Sequence, residues 1–255
     1  MDRRDQCDHC PPALPADGLT DTGPETLRRI GGMRAFNAWM MELVRPHLRG
    51  NVLEVGCGRG NLTELLLAEP IGSLTCVDIN PGHVEHVLQR WSGVPGFCAL
   101  CADIQDRGLV HKLQPRPDTI VCLNVLEHIE DDMAALDVMA HLLAPEGRLV
   151  LLVPAFPWLY GTMDAGLRHY RRYTRADLTE KLSAAGLRVA CWRYFGLLGM
   201  LGWFVNGRIL RRPILPEGQL RLYDRLVPLF RWVERLSGPP IGQSLICVAI
   251  RALES

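Results

Sequence analysis

Four groups of residues have types and spacings suited to chemistry. The first is Val52-Leu-Glu-Val-Gly-Cys-Gly-Arg-Gly60, where three alternating glycines follow an apolar run that holds Glu54. Glycine has no Cβ, so such a turn brings its backbone close to a ligand. The second is Asp78, which ends the apolar run from Leu74, about twenty residues past the glycines. A carboxylate so placed can accept hydrogen bonds from ribose hydroxyls. The third is Asn124-Val-Leu-Glu-His-Ile129, an amide followed by the imidazole of His128, whose ordinary pKa suits proton transfer near neutrality. The fourth is Arg168-His-Tyr-Arg-Arg-Tyr-Thr174. Its guanidinium groups, Arg171 and Arg172, suit a carboxylate or phosphate, and Tyr170 and Tyr173 offer phenols. Each group also has a plainer reading. Glycines serve tight turns for steric reasons alone, Asp78 suits a cap, and the arginines suit a basic loop before a helix capped by Thr174.

The elements that must position these groups alternate between two periodicities. Asn51 to Val55 reads as a buried strand, and a Leu-rich helix follows the glycines from Leu62 to Ala68, stopping before Pro70. Leu74 to Asn80 is a second strand, and Asn80-Pro81 caps the next helix. A third strand, Gly96 to Ala102, ends at Asp103. A fourth starts at Thr119, and a helix from Asp131 to Leu143 leads to a fifth strand, Arg148 to Val153. Helix Ala176 to Ala185, strand Leu187 to Trp192 and a last strand Ser244 to Arg251 complete the set. Repeated βα units predict an open, mostly parallel sheet that binds ligands outside the carboxyl ends of its strands. The whole is expected to be α/β, with residues 24–255 as one domain and residues 194–237 as a helical insertion. Residues 1–23, rich in Pro, Asp and Gly without periodicity, are expected to form a disordered leader.

Composition narrows the class. The 255 residues carry 28 Lys plus Arg against 28 Asp plus Glu, so overall charge gives no case for a nucleic-acid partner. No apolar run reaches the length of a membrane span, and the charged N-terminus lacks a signal peptide's apolar core. Nine cysteines, an odd number in a chain this long, suit a reducing compartment, and a cytoplasmic location is expected. Cys7/Cys10 and Cys98/Cys101 share the C-x-x-C spacing of zinc sites. The second pair falls in a strand, where positions three apart point to opposite faces, so no metal is expected. Helical repeats from Pro24 to Val44 break at Gly31-Gly32, with Phe36 and Trp39 as core residues or as a cover over a ligand. In the insertion, residues 194–207 carry no charge, while Leu220 to Leu236 alternates apolar positions with Arg221, Arg225, Arg231 and Arg235. That pair suits a cap, a dimer face or association with a membrane surface. The oligomeric state is not fixed by any of these features.

The pattern E-x-G-x-G-x-G at Glu54, with Asp78, Asp103 and N-V-L-E-H-I, resembles the class I S-adenosylmethionine (SAM) dependent methyltransferases. The resemblance extends through Val153-Pro-Ala-Phe-Pro-Trp-Leu-Tyr160 and His169-Tyr-Arg-Arg-Tyr173 to a bacterial subgroup acting on small molecules. It implies a Rossmann-like seven-stranded methyltransferase sheet, mostly parallel with an antiparallel last strand, and SAM as cofactor. The implied pocket comprises Glu54, Gly56, Cys57, Gly58, Gly60, Asp78, Ile79, Asp103, Ile104 and Asn124. Within it Asp103 would meet the exocyclic amine of adenine, Ile104 its face, and Asn124 the sulfonium end. His128 and Tyr170 are the candidate catalytic residues. Tyr160, His169, Arg171, Arg172 and Tyr173 are the candidate substrate-binding residues. Relatives in the subgroup carry Gly where this chain has Arg168. Methyl transfer to an O or N atom of a small molecule is the expectation, with an anionic acceptor if the arginines clamp it. Two other readings stay open: a cyclase closing the aminobutyrate arm of SAM with release of methylthioadenosine, and a non-catalytic SAM-binding or interaction protein. A nicotinamide oxidoreductase fits less well, because the glycine spacing is one residue short of G-x-G-x-x-G.

Overall fold

The apolar runs pair into a single sheet in the computed structural model, which describes residues 21–251. Its strands are β1 (Asn51–Val55), β2 (Ser73–Asp78), β3 (Phe97–Cys101), β4 (Thr119–Leu123), β5 (Arg148–Pro154), β6 (Leu187–Phe195) and β7 (Ser244–Arg251). Their order is β3-β2-β1-β4-β5-β7-β6. Neighbours from β3 to β5 run parallel, and β7 runs antiparallel to both β5 and β6. This is the seven-stranded sheet expected, with the chain reversing direction of travel between β1 and β4. A crevice forms outside the carboxyl ends of the strands at such a switch point.

The helices are α1 (Gly23–Gly31), α2 (Arg34–Val44), α3 (Asn61–Leu67), α4 (Pro81–Trp91), α5 (Leu109–Lys112), α6 (Asp132–Leu142), α7 (Thr162–Gly166), α8 (Arg175–Ala184), α9 (Leu197–Phe204) and α10 (Glu217–Ser237). Side-chain caps start three of them where the sequence placed helix starts. Asn80 accepts from the Gly82 N–H, Asp131 from Ala134 and Thr174 from Asp177. Strand β5 is apolar because both faces of the sheet are covered: Leu149, Leu151 and Val153 are buried in one cluster, Val150 in a second and Leu152 in a third.

A third cluster joins the N-terminal helices to the insertion. Trp39, Met40, Leu152, Phe195 and Val227 are buried together, and Phe36 packs 5.4 Å from the Phe195 ring and 6.1 Å from Tyr223. Phe36 and Trp39 are thus core residues, and α10 rests on α2. Two differences from the sequence reading have simple causes. Strand β6 runs to Phe195 because pairing with β7 continues to Ser244. Helices α5 and α7 are too short to show a period. Cys98 and Cys101 lie on β3, whereas Cys7, Cys10 and residues 1–20 of the expected leader lie outside the described residues. Among the described residues no helix is long and apolar enough to cross a membrane.

Candidate active site

The exit of β1 is a turn that only glycine tolerates. Gly56, Gly58 and Gly60 have φ of 75°, 52° and 79°, the left-handed region disfavoured for other residues. A Cβ on Gly56 would lie 2.4 Å from Val125 Cγ2, and one on Gly60 2.4 Å from the Trp91 ring. The β4 exit therefore closes directly on the glycine turn. Asp78, at the end of β2, pins the turn: its Oδ2 accepts the Gly58 N–H at 2.8 Å, and its Oδ1 accepts the Asn80 N–H at 2.8 Å. Burial alone would raise its pKa. His83, at 3.3 Å, and the two N–H groups outweigh burial and hold the carboxylate below its ordinary range. A carboxylate has about four acceptor sites, so pinning the turn leaves capacity for a ligand hydroxyl.

The other residues of the implied cofactor pocket divide by exposure. Ile79 is 51% exposed at the β2 exit, and Asn124, with φ of 54°, is exposed at the β4 exit. Asp103 is half-buried past β3 and accepts the Gln105 N–H at 2.9 Å. Cys57 and Ile104 are buried. Glu54 is enclosed: its carboxylate accepts Thr63 Oγ1 at 2.6 Å and Cys76 Sγ at 3.2 Å, and burial pushes its pKa up to about 7. The structure thus sets Glu54 between β1, β2 and α3, bracing the turn from behind.

On the far side of the cleft, exposed His128 ends a short turn after β4, its ring 4.6 Å from the His169 ring and nearly perpendicular to it. Surrounding protein first and His169 second push the His128 pKa down, leaving a neutral imidazole. Tyr170 is 47% exposed, and its N–H donates to the Glu127 carbonyl at 2.8 Å. The remaining substrate-binding candidates turn inward. Buried Asp164 accepts Arg172 Nε at 2.8 Å and Trp203 Nε1 at 3.1 Å, and lies 3.0 Å from His169 Nδ1. Burial opposes that charge, but His169 and Arg172 outweigh it and hold Asp164 below the ordinary carboxylate range. The Tyr160 hydroxyl donates to the His169 carbonyl at 2.7 Å. Arg171 pairs with Asp132 at 2.8 Å, and the Tyr173 hydroxyl, fully buried, donates to Asp132 at 2.9 Å. Both guanidinium groups of the expected anion clamp are therefore committed to carboxylates of the chain itself.

Three acids central to this side were not singled out in the sequence: Glu127, Asp132 and Asp164. Glu127 stood beside His128 in the motif, where a helical turn gives no hint of its burial; nothing local distinguished Asp164. Burial pushes Glu127 up to about 7, and its Oε2 and the Arg172 Nη2 have no hydrogen-bond partner in the described structure. Ligand atoms of Glu127, His128 and His169 lie within 4.8 Å of one another. A cation there would also meet the charge of the buried Arg172 guanidinium, which acts on Glu127.

Comparison with known proteins agrees with this geometry. The family described as "Methyltransferase domain" matches residues 29–191, well over half of the chain. A ubiquinone biosynthesis O-methyltransferase of Xylella fastidiosa is 32% identical over 158 residues, covering 56% of this chain and 63% of that relative. The chain thus spans less than two thirds of the relative's length. Among solved structures, the N-methyltransferase NodS of Bradyrhizobium japonicum with S-adenosyl-L-homocysteine superposes with a TM-score of 0.56 at 18% identity, over 92% of this chain and all of that one. The [4+2]-cyclase SpnF superposes with a TM-score of 0.55 at 15% identity, over 84% and 81%. These structures share the fold. The chain belongs to the class I SAM-dependent methyltransferase family. Its sheet is the SAM-binding methyltransferase fold.

Proposed function

We propose that the protein transfers the methyl group of SAM to an O or N atom of a small molecule held between the glycine turn and the His128–His169 pair. One observation carries this reading: the β4 exit, with Asn124 and His128, packs directly on the turn that Asp78 pins. The site fits the cofactor: the glycine turn leaves its backbone uncovered by side chains, and Asp78 beside it keeps acceptor capacity for ribose. In this reading Gly56, Cys57, Gly58 and Gly60 pass beneath the methionyl arm, Asp78 holds ribose, and Ile79, Asp103 and Ile104 receive adenine. Glu54 supports them from behind. Bound there, SAM supplies a methyl group already activated by its positive charge.

The chain's own work is orientation and proton handling. His128, exposed at the β4 exit, takes the acceptor's proton, and Tyr170 on the same wall orients the acceptor. Tyr160, His169, Arg171, Arg172 and Tyr173 fix the wall through Asp132 and Asp164. With both arginines neutralised by those acids, an uncharged acceptor suits the site better than an anionic one, and the reaction calls for no metal.

The test is product analysis. Incubated with SAM and a panel of phenols and amines, the protein should form S-adenosylhomocysteine only when an acceptor is present. His128→Gln should lower kcat by about 10²–10⁴-fold with SAM affinity kept. Methylthioadenosine accumulating with SAM alone, matched by a cyclic amino acid, overturns methyl transfer in favour of cyclisation.

A further inference from the structure

The insertion has a face that the cleft does not use. On α10, Leu222, Leu226, Leu229, Trp232 and Leu236 are exposed and recur at three- and four-residue spacings, one stripe at 3.6 residues per turn. The opposite side of the same helix, through buried Val227 with Tyr223 and Phe230 beside it, is the side that packs into the third core cluster. The helix is therefore apolar on two sides, one covered by protein and one facing solvent, with Trp232 at 60% exposure. Neighbouring α9 and the turn after it add exposed Leu201, Phe204 and Ile209. Exposed apolar stripes of this extent mark interaction surfaces.

Charge identifies the partner. The chain as a whole has equal numbers of basic and acidic residues, but residues 208–235 hold seven arginines against Glu217, Asp224 and Glu234. Glu217 is engaged by Arg28, and Glu234 accepts the Leu197 N–H. At 3.6 residues per turn, Arg221 and Arg235 fall along one edge of the stripe and Arg225 falls within it. Below that edge lies a groove of about 360 Å³ lined by Trp39, Glu42, Leu43, Arg193, Arg231 and Arg235, three guanidinium groups to one carboxylate. A second copy of the chain would bring seven more arginines to the contact with few acids to meet them. A surface of negative headgroups over an apolar interior matches both features.

Helix α9 also reaches the acceptor side. Trp158, exposed on the loop after β5, lies 6.1 Å from the Phe204 ring, and Trp203 of α9 donates to Asp164. We propose that the α9–α10 face docks on an anionic phospholipid bilayer and that the acceptor is an amphiphile taken from that surface. The first part stands on the insertion alone; the second rests on the acceptor side assigned above.

Vesicle flotation of the full chain tests it. The protein should float with phosphatidylglycerol-containing vesicles, weakly or not at all with phosphatidylcholine alone, and less at high salt. Leu229→Asp with Trp232→Asp, both on the exposed stripe, should leave the protein at the bottom. Arg225→Gln should lower partitioning about fivefold, the effect of one basic residue near such a surface. Sedimentation of the wild type away from anionic vesicles overturns the proposal. So does flotation of the stripe variant like wild type, or a dimer in light scattering that Leu229→Asp dissociates. SAM affinity measured on the same samples separates the two readings. Absent flotation with normal SAM binding removes the lipid surface and leaves the methyltransferase site standing.

Discussion

The two walls of the cleft are built from different material. In the proposed site the cofactor wall is mostly backbone: three glycines with positive φ, with Asp78 tying the turn to the neighbouring strand. The acceptor wall is a side-chain network in which Arg171, Arg172, His169 and Tyr173 each engage Asp132 or Asp164. A backbone wall is specified by a few adjacent residues whose conformational freedom shows in the sequence. A side-chain wall is specified by partners tens of positions apart, which spacing does not reveal.

The largest expected effect separates the walls by stability. Arg172→Leu removes the guanidinium from buried Asp164, leaving His169 and Trp203 as its partners, and should cost about 3–5 kcal/mol in denaturant unfolding. A loss well under 1 kcal/mol would mean that the network does not hold the acceptor wall. Acid response sharpens the contrast. Glu54, behind the cofactor wall, has its folded pKa raised to about 7 from 4.5, so the folded state keeps a proton that the unfolded chain releases. Its stabilisation is full below pH 4.5 and is lost as pH rises through about 7. Asp164 has a lowered folded pKa, so its contribution is present above the ordinary carboxylate range and disappears as pH falls below it. Glu54→Gln should therefore reduce the stability lost between about pH 5 and 8 by on the order of 1–3 kcal/mol. Glu127, raised in the same way, supplies the slope that remains. An unchanged pH profile would place the Glu54 carboxylate in water.

A smaller effect comes at Arg168, whose φ of 58° lies in the left-handed region. Arg168→Gly removes the Cβ penalty and should stabilise the fold by about 1 kcal/mol, read as a raised Tm. A destabilised Arg168→Gly would show that the arginine's own contacts outweigh its backbone cost.

The sheet was legible because parallel strands buried on both faces are continuous apolar runs, and caps such as Asn80 and Thr174 are local. Gly56, Gly58 and Asp78 were legible for the same local reason. Tyr173 shows where that ends. A tyrosine in a basic, apparently exposed stretch reads as a ligand contact, yet it is fully buried because Asp132, 41 residues away, accepts its hydroxyl. Arg171 and Arg172 suit an anion clamp or a basic loop by sequence, and only the fold brings Asp132 and Asp164 to them. Glu54 stood in the motif, but only the third dimension places Thr63 and Cys76 against it.

The most direct test is SAM titration by calorimetry of the wild type and Asp78→Asn, with folding followed by circular dichroism. If the cofactor wall is the turn that Asp78 pins, the folded variant binds SAM more weakly by about 1–3 kcal/mol, the scale of hydrogen bonds to a charged group. A folded Asp78→Asn protein with wild-type SAM affinity would contradict that placement.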